Sequence, residues 1–301
     1  MRRRDFTKRL ILSAAGSAVL PRMGSASSEP VTNAGNPRCW LVASDLQAGG
    51  LAGGAPVTSW LDRTANHYNL QQQSVIPDIN GVWDHSPPTL TINAVGGLPA
   101  VSLNAANSET LMWVPGGALD QGVSGFTAVF VCRPNASALS SSGFLFLTHD
   151  AVQASRLAII FDPPGTSGSG LASHQFGVRF IVRTQNEYAG WAGGEDGGGT
   201  NLLFSSTSGS AIWGVLIFRV DYTGTNQPNI AVNGGTPLSA PALTYPSPYT
   251  TVTPSYMDVI GSDSEAGYLT CDIAEAAFYA SYLSNIAASG LVAGLRQKYS
   301  F

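Results

Sequence analysis

Charge is scarce in this chain. Asp, Glu, Lys and Arg supply only 11% of its 301 residues, which disfavours long solvent-facing helices and suits short strands joined by many turns. Cysteine is scarce as well. There are three, an odd number, so at least one is unpaired, and no C-x-x-C or Cys/His spacing suggests a zinc site. Long apolar runs are missing: the best, Leu10 to Leu20, has about half of the ~20 residues a membrane-spanning helix needs. What is plentiful is glycine, at 34 residues, with 18 prolines and many Ser, Thr and Asn. Apolar residues at 44% can fill a sizeable core, which excludes general disorder.

The formal charge is −4. Residues 1–26 hold six basic side chains and one acid, so the remainder stands at −9. Such a surface is a poor partner for nucleic acid or anionic membrane, because phosphate binding relies on clustered Lys and Arg.

The first residues read as an address. Arg3-Arg4-Asp5-Phe6-Thr7-Lys8 resembles a twin-arginine export motif. The moderately apolar run Leu10–Leu20 follows, then Arg22, then the small-residue cleavage candidate Gly24-Ser25-Ala26. The expected organisation is a signal peptide over 1–26, a flexible linker over 27–37 and one domain over 38–301, delivered to the periplasm or outside the cell with no membrane insertion after cleavage. Twin-arginine substrates cross already folded, so the core must form without disulfides. Cys39, Cys132 and Cys271 each sit in an apolar strand-like run and read as buried thiols. A Cys39–Cys271 bridge formed after export is the alternative.

The body reads as one strand after another. In Phe126–Arg133, alternate positions Phe126, Ala128, Phe130 and Cys132 share one face, with Val129 and Val131 on the other. Both faces are apolar, which predicts a central strand covered on both sides. Ile212–Val220 is another long apolar strand, and Asn233-Gly234 is a hairpin signal because such turns need positive φ. The ending changes period. Ser284 is an N-cap candidate, and Ala288, Leu291, Val292, Leu295 and Tyr299 form one helical stripe. The expected fold is all-β: a two-sheet antiparallel jelly-roll sandwich with a short C-terminal helix.

Several stretches together resemble the concanavalin A-like lectin/glucanase superfamily, in particular its bacterial laminin G-like jelly-roll domains. They are Trp60-Leu-Asp62-Arg-Thr-Ala-Asn66, Gly97-Leu-Pro99-Ala-Val-Ser-Leu103, Ile260-Gly261-Ser262, Asp272-Ile-Ala-Glu275-Ala-Ala-Phe-Tyr279 and the final helix. The resemblance covers about residues 38–301 and implies a scaffold. Trp60 is expected in the core, Asp62 as an acceptor of backbone hydrogen bonds in its turn, and Asp272 with Glu275 as a pair or cap at a strand edge.

Chemistry is harder to find. The glucanases of this superfamily carry E-x-D-x-x-E on one strand, and that motif is absent. The densest acidic stretch, Asp258–Glu265, has a turn-like Gly-Ser centre, and the His174-Gln175 order is wrong for the alginate-lyase branch. His149, Asp150 and Ser155 offer triad residue types without a nucleophile elbow. The loop around Tyr188, Trp191, Glu195 and Asp196 is the favoured site. Aromatic faces suit the apolar faces of sugar rings, and carboxylates suit their hydroxyls. Its acids, with Asn201, are also candidate Ca²⁺ ligands. Trp83 is a second rim candidate, and Trp113 reads as core. The sequence therefore points to a non-catalytic carbohydrate-binding domain whose partner is a polysaccharide or glycan. A hydrolase or lyase with a non-standard site and a protein-binding adhesion module are the alternatives.

Overall fold

The structure is a computed structural model. It describes residues 29–72, 76–78, 81–83, 85–113, 119–120, 122–134, 143–149, 155–162, 175–183, 188–192, 202–205, 212–240, 257–261 and 267–301. The signal-peptide region 1–26 lies outside them. In chain order the elements are α1 (Pro30–Ala34), β1 (Cys39–Val42), α2 (Ala43–Ala48), β2 (Ser59–Trp60), β3 (Leu70–Gln71), β4 (Ile76–Asp78), β5 (Gly81–Trp83), β6 (Thr89–Val95), β7 (Leu98–Leu103) and β8 (Leu111–Trp113). They continue with β9 (Gly125–Pro134), β10 (Gly143–His149), β11 (Ser155–Asp162), β12 (Gln175–Arg183), β13 (Tyr188–Ala192), β14 (Leu202–Ser205), β15 (Gly214–Asp221), β16 (Asn229–Val232), β17 (Leu238–Ser239), β18 (Met257–Ile260), β19 (Cys271–Tyr279) and α3 (Asn285–Tyr299).

Two antiparallel sheets stack face to face. The first runs β17-β16-β15-β9-β19-β7-β6, with β1 also on β19. The second runs β13-β12-β11-β10-β18-β8-β3-β2, with β14 also on β12. The fold is thus the expected all-β sandwich. Strand alternation fills the space between the sheets from both sides. Phe126, Phe130 and Phe278 of the first sheet meet Phe146 of the second, with ring centroids 5.0–6.4 Å apart. Trp60 is fully buried there, as its motif implies.

The β9 prediction holds. Phe126, Ala128, Phe130 and Cys132 face the inter-sheet core. Val129 and Val131 face a second core outside the first sheet. That outer core is closed by α3, whose buried residues are Ala288, Leu291, Val292, Leu295 and Tyr299. Ser284 caps α3 by accepting the Ala287 N–H at 3.2 Å. The hairpin residues Asn233 and Gly234 both have positive φ, 54° and 76°.

Two expectations need correction. Residues 30–34 are not a tether. Pro30 starts a helical turn, fully buried Val31 joins the core under α3, and the Tyr279 hydroxyl donates to the Val31 carbonyl at 2.9 Å. Ala43–Ala48 is helical. The Cys39–Cys271 bridge is excluded by register. Cys39 lies opposite Phe278, seven residues along β19 from Cys271, about 23 Å at the usual rise per residue. A disulfide needs its Cα atoms within about 7 Å. All three cysteines are free and buried, and burial pushes the Cys39 and Cys271 thiols well above their ordinary pKa.

Candidate functional site

The motif carboxylates are occupied with scaffolding. Asp62 Oδ1 accepts the Trp40 and Thr64 backbone N–H groups, both at 2.8 Å, and Oδ2 accepts the Tyr68 N–H at 2.9 Å. It therefore clasps its own turn onto β1, as expected. Asp272 and Glu275 do not pair and are not at an edge, because β19 lies between β9 and β7. Asp272 takes Arg133 at 2.6 Å and the Ser102 hydroxyl at 2.5 Å. A bulge between Ile273 and Glu275 turns Glu275 toward the helix side. There, almost fully buried, it accepts from Trp40 Nε1 at 2.6 Å, Lys298 Nζ at 2.9 Å and the Tyr299 hydroxyl at 2.7 Å. Sequence reasoning missed this network. Its partners are remote in sequence, and only the shared recurrence of Glu275 and the helix-end Lys298-Tyr299 in one motif set hinted at it.

The acidic stretch opens on a strand ahead of its Gly-Ser centre. Asp258 is part of β18, buried, and accepts the Leu119 N–H at 2.7 Å. Nearby in sequence to Leu119, Asp120 accepts the Tyr222 hydroxyl at 2.9 Å. Both carboxylates thus serve the packing of the 119–123 segment. Residues 262–266 lie outside the described residues.

The favoured loop is partly a strand. Tyr188–Ala192 forms β13, on the edge of the second sheet. The place beside β12 supplies the ladder partners that make this stretch a strand. Ile181 lies opposite Trp191 and Arg183 opposite Tyr188, with a bulge between them. Directly opposed residues share a face. Ile181 belongs to the outer face of this sheet, with Leu147, Ala158, Ile160 and Val259. Trp191 and Tyr188 are three apart and would fall on opposite faces of a regular strand. The bulge breaks that alternation between their register positions.

Glu195 and Asp196, like Asp150, Asn201 and His174, lie outside the described residues. Trp83 is in a hairpin strand, opposite Ile76, in a two-stranded sheet separate from the main sheets, not in a loop. Register does not bring it to Tyr188 and Trp191. Trp113 is on β8, opposite the buried Asp258. Among the described residues, no group of three or more His, Cys, Asp or Glu could hold a metal ion, and no helix is long and apolar enough to cross a membrane.

On the outer face Ile181, Ala158, Leu147 and Val259 are paired strand to strand from β12 to β18 and are buried. Trp191 on β13 and Met112 on β8 take the flanking register positions. Tyr188 is opposite Arg183 on β12. His149 is opposite Ser155 across a bulge that leaves Arg156 as the extra residue, so two triad residue types are register neighbours.

A groove of about 680 Å³ lies on the other side of the molecule, between α1 and α3, and is lined by Pro30, Asn33, Ile286, Gly290 and Lys298 among others. None of the sequence-favoured residues lines it.

No protein-family model matches the chain, and no curated protein matches it. Among solved structures, the botulinum neurotoxin serotype D binding domain aligns at 11% identity and a TM-score of 0.49, over 81% of this chain and 50% of that one. A heptameric SAP-like pentraxin from Limulus polyphemus aligns at 10% identity and 0.38, over 60% and 73%. Trypanosoma rangeli sialidase aligns at 13% identity and 0.43, over 86% and 32%. The chain spans half the length of the toxin binding domain it matches.

Proposed function

We propose that this protein is an exported, non-catalytic carbohydrate-binding domain that holds a glycan on the edge of its second sheet. The observation that carries the reading is the register of β13. Tyr188, opposite Arg183, and Trp191, opposite Ile181, belong to one edge strand on either side of a bulge. Two aromatic residues close together on a sheet edge suit stacking against successive sugar rings. An edge strand also leaves backbone N–H and C=O groups unpaired, and sugar hydroxyls can take them.

Export rests on the twin-arginine pattern of residues 3–26. It is compatible with a core that uses free, buried thiols instead of disulfides. The non-catalytic part rests on what the outer face presents. An open cleft with two opposed carboxylates about 5–10 Å apart is the usual requirement for glycoside hydrolysis. The middle of this face is instead a closed apolar row.

The test is affinity electrophoresis of the protein lacking residues 1–26 through gels containing single polysaccharides, neutral and acidic. A reducing-sugar assay runs on the same polymers. Retardation by at least one polymer, lost in Tyr188→Ala and in Trp191→Ala without release of reducing ends, supports the reading. Retardation by none of them, or retention equal in both variants and the parent, overturns it.

A further inference from the structure

We propose that a small pocket between α3 and the β16–β17 hairpin binds a carboxylate with an apolar body, and that Arg219 holds its charge. The pocket measures about 230 Å³ and lies on the flank of α3 away from α1. It is smaller than the ~300 Å³ at which drug-sized sites begin, so its ligand is an acid of a few carbons or a single ring. Ile217, Pro237 and Val292 make the wall apolar, and Arg219, Asn285 and Ser289 supply the polar groups. The pocket is on the first sheet and is independent of the glycan site proposed on the second.

The state of Arg219 points to a ligand. It sits on β15, opposite Asn229 and Thr127 of the neighbouring strands, and is only 5% exposed. Its Nε donates to Asn229 Oδ1 at 3.1 Å. Its Nη1 donates to the Leu283 carbonyl at 3.0 Å and to Asn285 Oδ1 at 2.8 Å. The Tyr282 ring covers the guanidinium, with its centroid 4.8 Å away. All of these partners are neutral. A guanidinium has five N–H donors. Nε and Nη1 use theirs, and both donors of Nη2 are left over.

Among the described residues, no carboxylate contacts this group. Asp221, two places along β15, is taken by Thr223 and Asn226 instead. Residues 241–256, which follow β17, contain no Asp or Glu. A buried cation without a counter-charge is costly, and burial pulls the Arg219 pKa below its ordinary value.

Two further observations fit an anion with an apolar body. The helix α3 starts at the pocket with Asn285 and has no acid in its first turn, so the positive end of its dipole adds to the arginine's charge. The apolar wall disfavours a strongly hydrated anion such as sulfate, whereas an apolar body displaces water from it.

The experiment applies isothermal titration and thermal melting to the purified protein at one ionic strength. The probes are isobutyrate, benzoate, isobutyramide and sulfate. The expected result is saturable binding of isobutyrate or benzoate, with a raised melting temperature. Isobutyramide keeps the shape without the charge, and sulfate keeps charge without the body. Both should bind at least about 10-fold more weakly than the acids.

Arg219→Gln should weaken the acid about 10- to 100-fold. Where that variant fails to fold, Ser289→Glu decides. It keeps every bond that Arg219 makes and sets a carboxylate in the pocket. It should abolish binding and raise the melting temperature of the free protein by supplying the missing counter-charge. No saturable binding of either acid, equal affinity for acid and amide, tighter binding of sulfate, or undiminished binding by Ser289→Glu overturns the proposal. Each of these leaves the glycan reading of the second sheet standing.

Discussion

Two glycines one helical turn apart in α3 should respond to the same substitution with opposite signs. Inside a helix, Gly is about 1 kcal/mol less favourable than Ala, largely through unfolded-state entropy. At Gly290 an added Cβ meets no atom within 4 Å, so Gly290→Ala should stabilise by about 0.5–1 kcal/mol. At Gly294 the same Cβ would stand 2.7 Å from Pro30 Cβ and 2.9 Å from Pro30 Cγ. The proline ring cannot swing aside, so α1 must move. Overpacking of this kind costs about 1–3 kcal/mol, and the shift also disturbs buried Val31 and the Lys298–Glu29 ion pair at 2.9 Å. The propensity gain offsets part of that, leaving a net loss of about 1–2 kcal/mol for Gly294→Ala. Urea denaturation of both variants reads the difference as midpoint shifts of opposite sign at unchanged slope. Equal stabilisation by the two alanines would mean that α1 is not seated on α3, and the reading of residues 30–34 as part of the domain would fall.

Removing the acceptor common to Trp40, Lys298 and Tyr299 in Glu275→Ala should cost about 3 kcal/mol, read by the same denaturation. A loss under about 1 kcal/mol would show that the network is dispensable. Acid stability should depend on Asp221. Burial alone would raise its pKa, but hydrogen bonds from Thr223 and Asn226 outweigh it and hold the carboxyl below the usual range. A depressed folded-state pKa stabilises above the unfolded value and is lost as pH falls through the folded one. Asp221→Asn should therefore flatten the fall in melting temperature below about pH 4, and an unchanged profile would refute this assignment. The three buried thiols should resist a thiol-reactive dye in the native protein and react fully in denaturant. Fast labelling of any one without denaturant would contradict its burial.

Much of the scaffold was legible because its signals are local. The β9 pattern, the α3 stripe with Ser284 ahead of it, and the Asp62 turn each lie within one short window of sequence. Features set by distant partners were not. Glu275 meets Trp40 across 235 positions, and nothing near either residue announces it. Pro30–Ala34 reads as linker because five residues cannot sustain a helix alone, and it owes its shape to α3. At the candidate site, the residue types Tyr188 and Trp191 stood out early. Their places opposite Arg183 and Ile181 did not, because the β12–β13 register shifts at a bulge.

The first strand of the sandwich completes its ladder on the last: β1 pairs residue by residue with β19. During synthesis, the Cys39–Val42 segment and the turn clasped to it by Asp62 must wait, without a ladder partner, for almost the whole polypeptide to leave the ribosome. Such late, sequence-distant closure implies slow maturation and a long interval of vulnerability to misassociation. A nascent-chain arrest series should accordingly gain protease resistance only when the arrest point passes the end of α3.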